Sequence, residues 1–253
     1  MSKAFVDHFQ GVTQHYLNHR PSYPAALFDW LAQRCSQHEL AWDCGAGNGQ
    51  AAVSLAQHFQ RVLATDASAA QIAAATVHER VEYRLAPAEN SGLEPASVDL
   101  LIVAQALHWF DLERFYAEAR RVLKPTGIVA VWCYGIVELE GDAANQLLQH
   151  FYHQVVGPYW PAEREHVETG YRQLPFPFTP IEAPAFTMQV TWTRAQLMGY
   201  LRSWSATGRY QAAQGVDPVL AFEQAISSAW GDAEHARLVS WPLSLRVGRA
   251  SGG

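Results

Sequence analysis

The chain has 253 residues, a formal net charge of -6 and a pI near 6.0, and 49% of its residues are hydrophobic while 17% are charged. This composition excludes intrinsic disorder and predicts a sizeable core, with one enlarged α/β domain over residues 1–253 as the simplest organisation. The acidic balance argues against DNA or polymeric RNA as a partner, because proteins that bind these polymers usually display a basic stripe.

Targeting and redox signals are weak. The first 17 residues lack the basic region and the apolar core of a secretory signal, and no apolar run approaches the roughly 20 residues that span a bilayer. We therefore expect a cytoplasmic protein that does not enter membranes. The cysteines Cys35, Cys44 and Cys133 suggest neither a disulfide framework nor a metal site, and buried free thiols are predicted.

Residues 37–135 are predicted to form the cofactor-binding half. Short apolar runs alternate here with helical periodicity, which is typical of a parallel sheet covered by helices on both faces. Strands are predicted at Glu39–Asp43, Arg61–Thr65, Val81–Ala86, Val98–Ala104 and Gly127–Cys133. Helices are predicted near Gln50–Gln57, Ala69–Thr76 and Leu112–Leu123.

Beyond Gly135 the sequence becomes rich in aromatic residues and proline. We predict a helical cap over the carboxyl edge of the sheet, built from residues 136–180 and 193–232. Alternation at Phe186–Trp192 and Leu238–Val247 predicts two strands that complete the sheet as an antiparallel pair, with helices near Arg194–Ser205 and Pro218–Trp230 between them. The fold class is thus α/β, with a mostly parallel seven-stranded sheet and an antiparallel last strand.

A glycine-rich turn follows the first predicted strand. Residues 43–49 read DCGAGNG and run directly into a helix, so that the backbone can approach a ligand closely while the helix start presents unpaired N–H groups. Asp66 ends the second strand and would stand beside this turn, where it could accept hydrogen bonds from two ribose hydroxyls. A turn that only connects strand to helix is the alternative, and Asp66 makes it less attractive than a nucleotide-like cofactor.

The glycine spacing separates two classes of cofactor. Gly45, Gly47 and Gly49 form G-x-G-x-G, whereas dinucleotide-binding turns follow G-x-G-x-x-G. A nicotinamide-dependent oxidoreductase is therefore the weaker hypothesis, and no Tyr-x-x-x-Lys pair supports it.

At this point the chain resembles the class I S-adenosylmethionine-dependent methyltransferases, and more narrowly the type 11 methyltransferases with their trans-aconitate methyltransferase-like relatives. Besides the turn, the resemblance rests on YLNHRPSYP at 16–24, APAE at 86–89 and QALHWFD at 105–111, and it spans most of residues 5–135. It implies a Rossmann-like fold, S-adenosylmethionine as cofactor, S-adenosylhomocysteine as product and a small-molecule methyl acceptor.

The same resemblance implies positions for the cofactor. Asp43, Gly45 and Gly47 would line its methionine portion, Asp66 would hold the ribose, and Gln105 would flank the sulfonium. Ala88 and Glu89 would lie against the adenine edge. The full expected set is Tyr16, Arg20, Asp43, Gly45, Ala46, Gly47, Asp66, Ala67, Ala88, Glu89 and Gln105.

Residues 1–36 are predicted to be a lid segment. Arg20, together with Tyr16, could fold over the cofactor and pair with its carboxylate. The alternative is that Arg20 and Tyr23 only anchor the entry of the chain to the sheet, and the sequence leaves the two open.

The acceptor side is harder to predict. His108 and Trp109 follow the fourth strand at its carboxyl end, where α/β sheets gather ligands. His108 could be a general base, a substrate contact or a hydrogen-bonded packing residue. Trp109, Trp204 and Tyr210 are candidate substrate-binding residues, although aromatic residues of the cap are more often core. The cap region also contains four arginines that are most simply solvated side chains. One or two of them could instead bind a carboxylate bidentately: Arg164, Arg172, Arg202 and Arg209.

The predicted reaction is an in-line displacement that transfers a methyl group to a small molecule, in which a carboxylate acceptor would need no base. A non-catalytic cofactor-binding protein with the same fold is the main alternative. No metal is expected. The identity of the acceptor, the choice among O-, N- and C-methylation, and the choice between monomer and homodimer stay open.

Overall fold

The computed structural model describes residues 21–250. The strands of this part are β1 (Leu40–Cys44), β2 (Arg61–Asp66), β3 (Val81–Leu85), β4 (Val98–Ala104), β5 (Leu123–Tyr134), β6 (Glu138–Leu139), β7 (Thr179–Ile181), β8 (Thr187–Trp192) and β9 (Arg237–Arg249). The α-helices are α1 (Ala25–Ala32), α2 (Gln50–Leu55), α3 (Ala69–Ala73), α4 (Leu112–Val122), α5 (Asp142–His150), α6 (Arg164–Glu168), α7 (Arg194–Arg202), α8 (Ser205–Gln214) and α9 (Pro218–Trp230).

The sheet follows the order β3-β2-β1-β4-β5-β9, in which the first five strands are parallel and β9 runs antiparallel to β5. Strand β1 lies between β2 and β4, so the connections leave it in opposite directions. In sheets of this kind the carboxyl ends of the strands at such a reversal form a crevice that binds ligands. The glycine-rich turn begins at this point.

This architecture confirms the predicted fold class and the antiparallel last strand. The described residues contain nine strands instead of seven, because β6 and β7 also pair with β9. These two strands have two and three residues, too few for an alternating pattern to be visible in the sequence. Strand β9 has 13 residues and therefore offers partners to β5, β6, β7 and β8 along its length.

Helix α1 belongs to the core. It lies within the segment predicted to be a lid, but Leu27, Phe28 and Leu31 are buried against the sheet face that also carries α2. Tyr23, just before the helix, packs edge-on against the Trp132 ring with centroids 5.4 Å apart. The described part of the predicted lid is thus anchored to the sheet, because its apolar residues have helical spacing and find a sheet face to cover.

The opposite face of the sheet is covered by α4. Asp111 caps this helix by accepting a hydrogen bond from the Arg114 backbone N–H at 3.4 Å, and Phe115, Ala119 and Val122 are buried below it. The predicted helix over Leu112–Leu123 is confirmed to within one residue.

The cap has its own apolar core. Helices α5, α7 and α9 pack their buried residues, with those of β8 and the first half of β9, around Trp230 and Trp241. Across residues 21–250, no helix combines the length and the apolar character that crossing a membrane requires.

Candidate functional site

The glycine-rich turn lies at the carboxyl end of β1. Gly45 and Gly47 have φ angles of +73° and +57°, in the left-handed region that side chains disfavour. The Gly45 and Ala46 N–H groups both donate to the Thr65 carbonyl, at 2.8 and 3.0 Å. These bonds tie the turn to the end of β2, so its backbone is shaped before any ligand arrives.

Asp66 stands beside the turn, as the sequence predicts. Its carboxylate accepts the Gly47 N–H at 2.8 Å and the Ser68 N–H at 2.8 Å, and it is half-buried. The side chain therefore orders both the turn and the start of α3. Because an ionised carboxylate has about four lone-pair sites, it can accept further bonds from a ligand. Ala67, between these contacts, is exposed.

Asp43 is a buried carboxyl group at the end of β1. Its two side-chain oxygens have no hydrogen-bond partner of good geometry among the described residues, although the Ala52 backbone N–H contributes some stabilisation of the charge. Burial, followed by repulsion from Asp66, raises the pKa of Asp43 to about 7. A buried acid without a partner is costly, and a bound cationic group would offset that cost.

The expected adenine side contains Ala88 and Glu89. Ala88 is buried, and Glu89 Oε1 accepts the Asp111 backbone N–H at 2.9 Å. Glu89 therefore links the segment after β3 to the start of α4. The sequence did not reveal this contact, because the two residues are distant along the chain.

Gln105 follows β4 in an unusual conformation. Its φ angle is +58°, its backbone N–H donates to the Trp132 carbonyl at 2.9 Å, and its side-chain amide donates to the Tyr134 carbonyl at 3.4 Å. A left-handed conformation is uncommon for a residue with a side chain and costs about 1–3 kcal/mol. These contacts with β5 hold Gln105 at the carboxyl edge, next to the turn.

His108 is paired with Tyr171. The two meet through His108 Nδ1 and the Tyr171 hydroxyl at 2.8 Å, and Tyr171 is fully buried with a φ angle of +59°. Burial, and then the positive charges of Arg164 and His166, lower the pKa of His108 to about 3. The imidazole is neutral at neutral pH and is a weak proton acceptor, so this geometry favours the packing role over the general base.

Comparison with known proteins identifies the family. A family model described as a methyltransferase domain matches residues 42–131, which include the turn, Asp66 and His108. A Dictyostelium discoideum protein assigned as a methyltransferase is 32% identical over 229 residues, covering 89% of this chain and 87% of that protein. The solved structure of an Anaeromyxobacter dehalogenans protein assigned as a type II methyltransferase has a TM-score of 0.88 and 44% identity, covering 92% of this chain and 99% of that one. The chain belongs to the class I S-adenosylmethionine-dependent methyltransferases.

A further relative is an uncharacterized methyltransferase of Mycobacterium tuberculosis, 32% identical over 180 residues that cover 70% of this chain and 67% of that protein. The narrower similarity to trans-aconitate methyltransferases stays a prediction, because these relatives are named only as methyltransferases.

The cofactor side of this methyltransferase fits S-adenosylmethionine. The ligand carries an ammonium group and a sulfonium, and the unpartnered Asp43 carboxyl beside the turn is the group that a cation would satisfy. Asp66 stands beside the turn at the end of β2, where the ribose of a nucleotide-like cofactor would lie. Tyr16 and Arg20 lie outside the described residues, so their expected roles stay predictions.

The three residues predicted to bind the acceptor, Trp109, Trp204 and Tyr210, all pack against other aromatic rings. Trp109 is half-buried beside His108, with ring centroids 4.6 Å apart. Trp204 is buried in the cap, 5.5 Å from the Trp160 ring, and Tyr210 packs on Tyr159 at 5.0 Å. Trp204 is therefore linked to Trp160, and Tyr210 to Tyr159, within the cap.

Replacing Tyr171 tests the pairing with His108. Tyr171→Phe removes the hydroxyl and leaves His108 Nδ1 unsatisfied, so we expect a loss of about 1–2 kcal/mol in the free energy of unfolding, measured with urea. In NMR titrations His108 should stay neutral down to pH 5, since burial and the neighbouring Arg164 still lower its pKa.

Tyr116→Phe is the matched control, because the Tyr116 hydroxyl donates to the Pro175 carbonyl at 2.7 Å. It should lose similar stability without moving the imidazole resonances of His108. Equal changes of those resonances in both variants would contradict the pairing.

Proposed function

We propose that this methyltransferase transfers the methyl group of S-adenosylmethionine to a carboxylate oxygen of a small-molecule acceptor. The observation that carries the cofactor part is the pair of acids at the turn: Asp43, buried without a hydrogen-bond partner of good geometry, and Asp66, which accepts the Gly47 and Ser68 N–H groups at the end of β2, where a ribose would lie. The cofactor's methionine portion would lie along Gly45, Ala46 and Gly47, with its adenine near Ala88 and Glu89.

When bound, S-adenosylmethionine supplies an electrophilic methyl group: the acceptor oxygen forms a C–O bond while the C–S bond breaks and its electron pair stays on sulfur. No proton moves in this step when the acceptor is an ionised carboxylate. The protein's part is to align the acceptor, with reacting atoms about 3–3.5 Å apart, and to exclude water. We assign these two roles to Trp109 and the aromatic residues of the cap.

The electrostatics of His108 support a carboxylate acceptor. A hydroxyl or an ammonium group must lose a proton before or during methyl transfer, and a base with a pKa of about 3 removes it poorly. A carboxylate is ionised at neutral pH and needs no base. His108 would then contact the acceptor or support its neighbours as a neutral residue.

Titration calorimetry with S-adenosylhomocysteine tests the cofactor site. We expect binding at one site, and Asp66→Ala should weaken it about tenfold to a hundredfold, because two charge-assisted hydrogen bonds are lost. Asp142→Ala, which removes an exposed acid from the first turn of α5, is the charge-matched control and should bind normally. Absence of heat in the wild-type protein, or unchanged affinity in Asp66→Ala, would reject the proposal.

Product chemistry tests the acceptor atom. With methyl-labelled cofactor and a panel of carboxylic acids, phenols and amines, the labelled product should arise from acids and release labelled methanol on mild alkaline treatment, as methyl esters do. Alkali-stable products would point to ethers of phenols or to N- or C-methylation, and would reject a carboxylate acceptor. Tight cofactor binding with no transfer across the panel would favour a non-catalytic cofactor-binding protein.

A further inference from the structure

Four arginines of the cap region were candidates for binding an acidic acceptor, and the structure distinguishes them. Arg202 is exposed and pairs with Asp217 at 2.8 Å and with Glu223 at 3.8 Å. Arg209 and Arg172 are exposed. Arg164 is half-buried, and no carboxylate of the described residues lies within ion-pair distance of it.

Two aromatic rings and one hydrogen bond hold the Arg164 guanidinium, and its two terminal nitrogens remain available. Its centre lies 4.7 Å from the Trp160 ring and 5.7 Å from the Tyr152 ring, and Nε donates to the Tyr152 hydroxyl at 2.8 Å. That hydroxyl donates in turn to Glu168 at 2.6 Å, so Arg164 is linked to this acid only through a neutral group. The two terminal nitrogens make no hydrogen bond with the described residues, although guanidinium is always charged.

Two other polar side-chain atoms of this segment also lack a hydrogen-bond partner. Trp160 Nε1 and His166 Nδ1 are buried and have no hydrogen-bond partner among residues 21–250. Buried polar groups are nearly always satisfied, and a set of unsatisfied ones beside an unpaired cation marks a place where a polar ligand would be bound. The His166 carbonyl accepts the Tyr171 N–H at 2.8 Å, and the Tyr171 hydroxyl meets His108, so this segment packs against the residues that follow β4 at the carboxyl edge of the sheet. Arg164 and His166 also act on His108 electrostatically.

We propose that Arg164, assisted by Trp160 and His166, receives the carboxylate of the methyl acceptor. This inference rests on the proposed methyl transfer and names the residue that selects its substrate. Arginine suits the task, because its planar fork of N–H donors matches a carboxylate and is already held by two rings. A carboxylate has about four lone-pair sites, so it can accept from the guanidinium and still present one to the methyl group.

The loss of charge during methyl transfer also changes how Arg164 interacts with the product. The anionic carboxylate and the cationic sulfonium react to give a neutral ester and a neutral thioether, so charge disappears from a partly buried site. The ester no longer pairs with the guanidinium. Arg164 therefore binds the acid and not its methylated product, which favours product release.

The Nε–Hε resonance of Arg164 reports on this contact directly. We would assign it by its disappearance in Arg164→Lys and titrate the protein, with and without S-adenosylhomocysteine, with acetate, benzoate and phenylacetate. The acids should shift the resonance in a saturable manner, whereas the corresponding amides and methyl esters, which lack the charge, should not.

Variants measure the effect on affinity. Arg164→Gln should weaken binding of the acids about tenfold to a hundredfold, and Arg164→Lys by less, because it keeps the charge and loses the fork. Arg172→Gln removes an exposed arginine of the same region and should leave the affinities unchanged. Circular dichroism and cofactor binding identify any variant that fails to fold.

Two results would overturn the inference: no acid shifts the Arg164 resonance up to its solubility limit, or amides and esters shift it equally. Because cofactor binding is measured in the same samples, these results are distinct from failure of the proposed function. A shift by acids without any binding of S-adenosylhomocysteine would support the anion site while rejecting the methyl transfer.

Discussion

Asp43→Asn should stabilise the unliganded protein at pH 8 by about 2–4 kcal/mol and leave it nearly unchanged at pH 4. The Asp43 carboxyl has a pKa of about 7 in the folded chain against an ordinary value of 3.8. Below pH 3.8 the Asp43 carboxyl is protonated in both the folded and the unfolded chain. As pH rises to 7, the unfolded chain ionises first, so stability falls, and the full loss persists above pH 7. Asparagine stays neutral and avoids this loss. Urea unfolding between pH 4 and pH 8 measures the difference.

The same variant should bind the cofactor poorly. At pH 8 the wild-type carboxylate is ionised and can pair with the ammonium group of S-adenosylhomocysteine, whereas asparagine offers no charge, and we expect affinity to fall by tenfold or more. Wild-type affinity should also increase from pH 6 to pH 8, and the variant's should not. Asp142→Asn is the control for a generic loss of charge. Higher stability without weaker binding would mean that the cation of the cofactor lies elsewhere.

The cofactor side of the site could be predicted from the sequence. The glycines, Asp43 and Asp66 lie at the ends of two strands that are neighbours in a parallel sheet, so a local motif and one rule of topology bring them together. The ends of β1 to β4 were predicted to within one residue, whereas β5 begins at Leu123, four residues before the predicted Gly127. What the motif did not indicate is that Asp66 also binds the Gly47 N–H and so supports the turn itself.

The acceptor side could not be predicted in the same way. Tyr171 meets His108 across 63 positions of sequence, and its left-handed backbone has no signature in the neighbouring residues. Helix α8 was missed because SATGRYQAAQ has no apolar stripe, and tertiary contacts decide its conformation. Arg164 was one of four equivalent candidates until the structure placed partners beside Arg202 and left Arg164 among rings.

Gly45→Ala should disrupt both sides of the site at once. Gly45 has a φ angle of +73°, which costs an alanine about 1–2 kcal/mol. An added Cβ would also lie 2.5 Å from the Ala106 Cβ and 3.2 Å from the Phe110 ring. A Cβ cannot rotate away, so the turn and the segment that carries His108 must separate. We expect a loss of about 3 kcal/mol or more in unfolding free energy, together with loss of cofactor binding by calorimetry.

Gly47→Ala is the control that separates backbone strain from collision. Gly47 belongs to the same turn and also has a positive φ, +57°, but among residues 21–250 its added Cβ would meet only the Gln71 side-chain oxygen, at an ordinary 3.6 Å. It should therefore lose only the conformational part, about 1–2 kcal/mol. If both alanine variants lost equal stability, contact with Ala106 would not be what demands glycine at position 45. A much larger loss in Gly45→Ala would instead establish that the cofactor turn and the acceptor segment are packed as one unit.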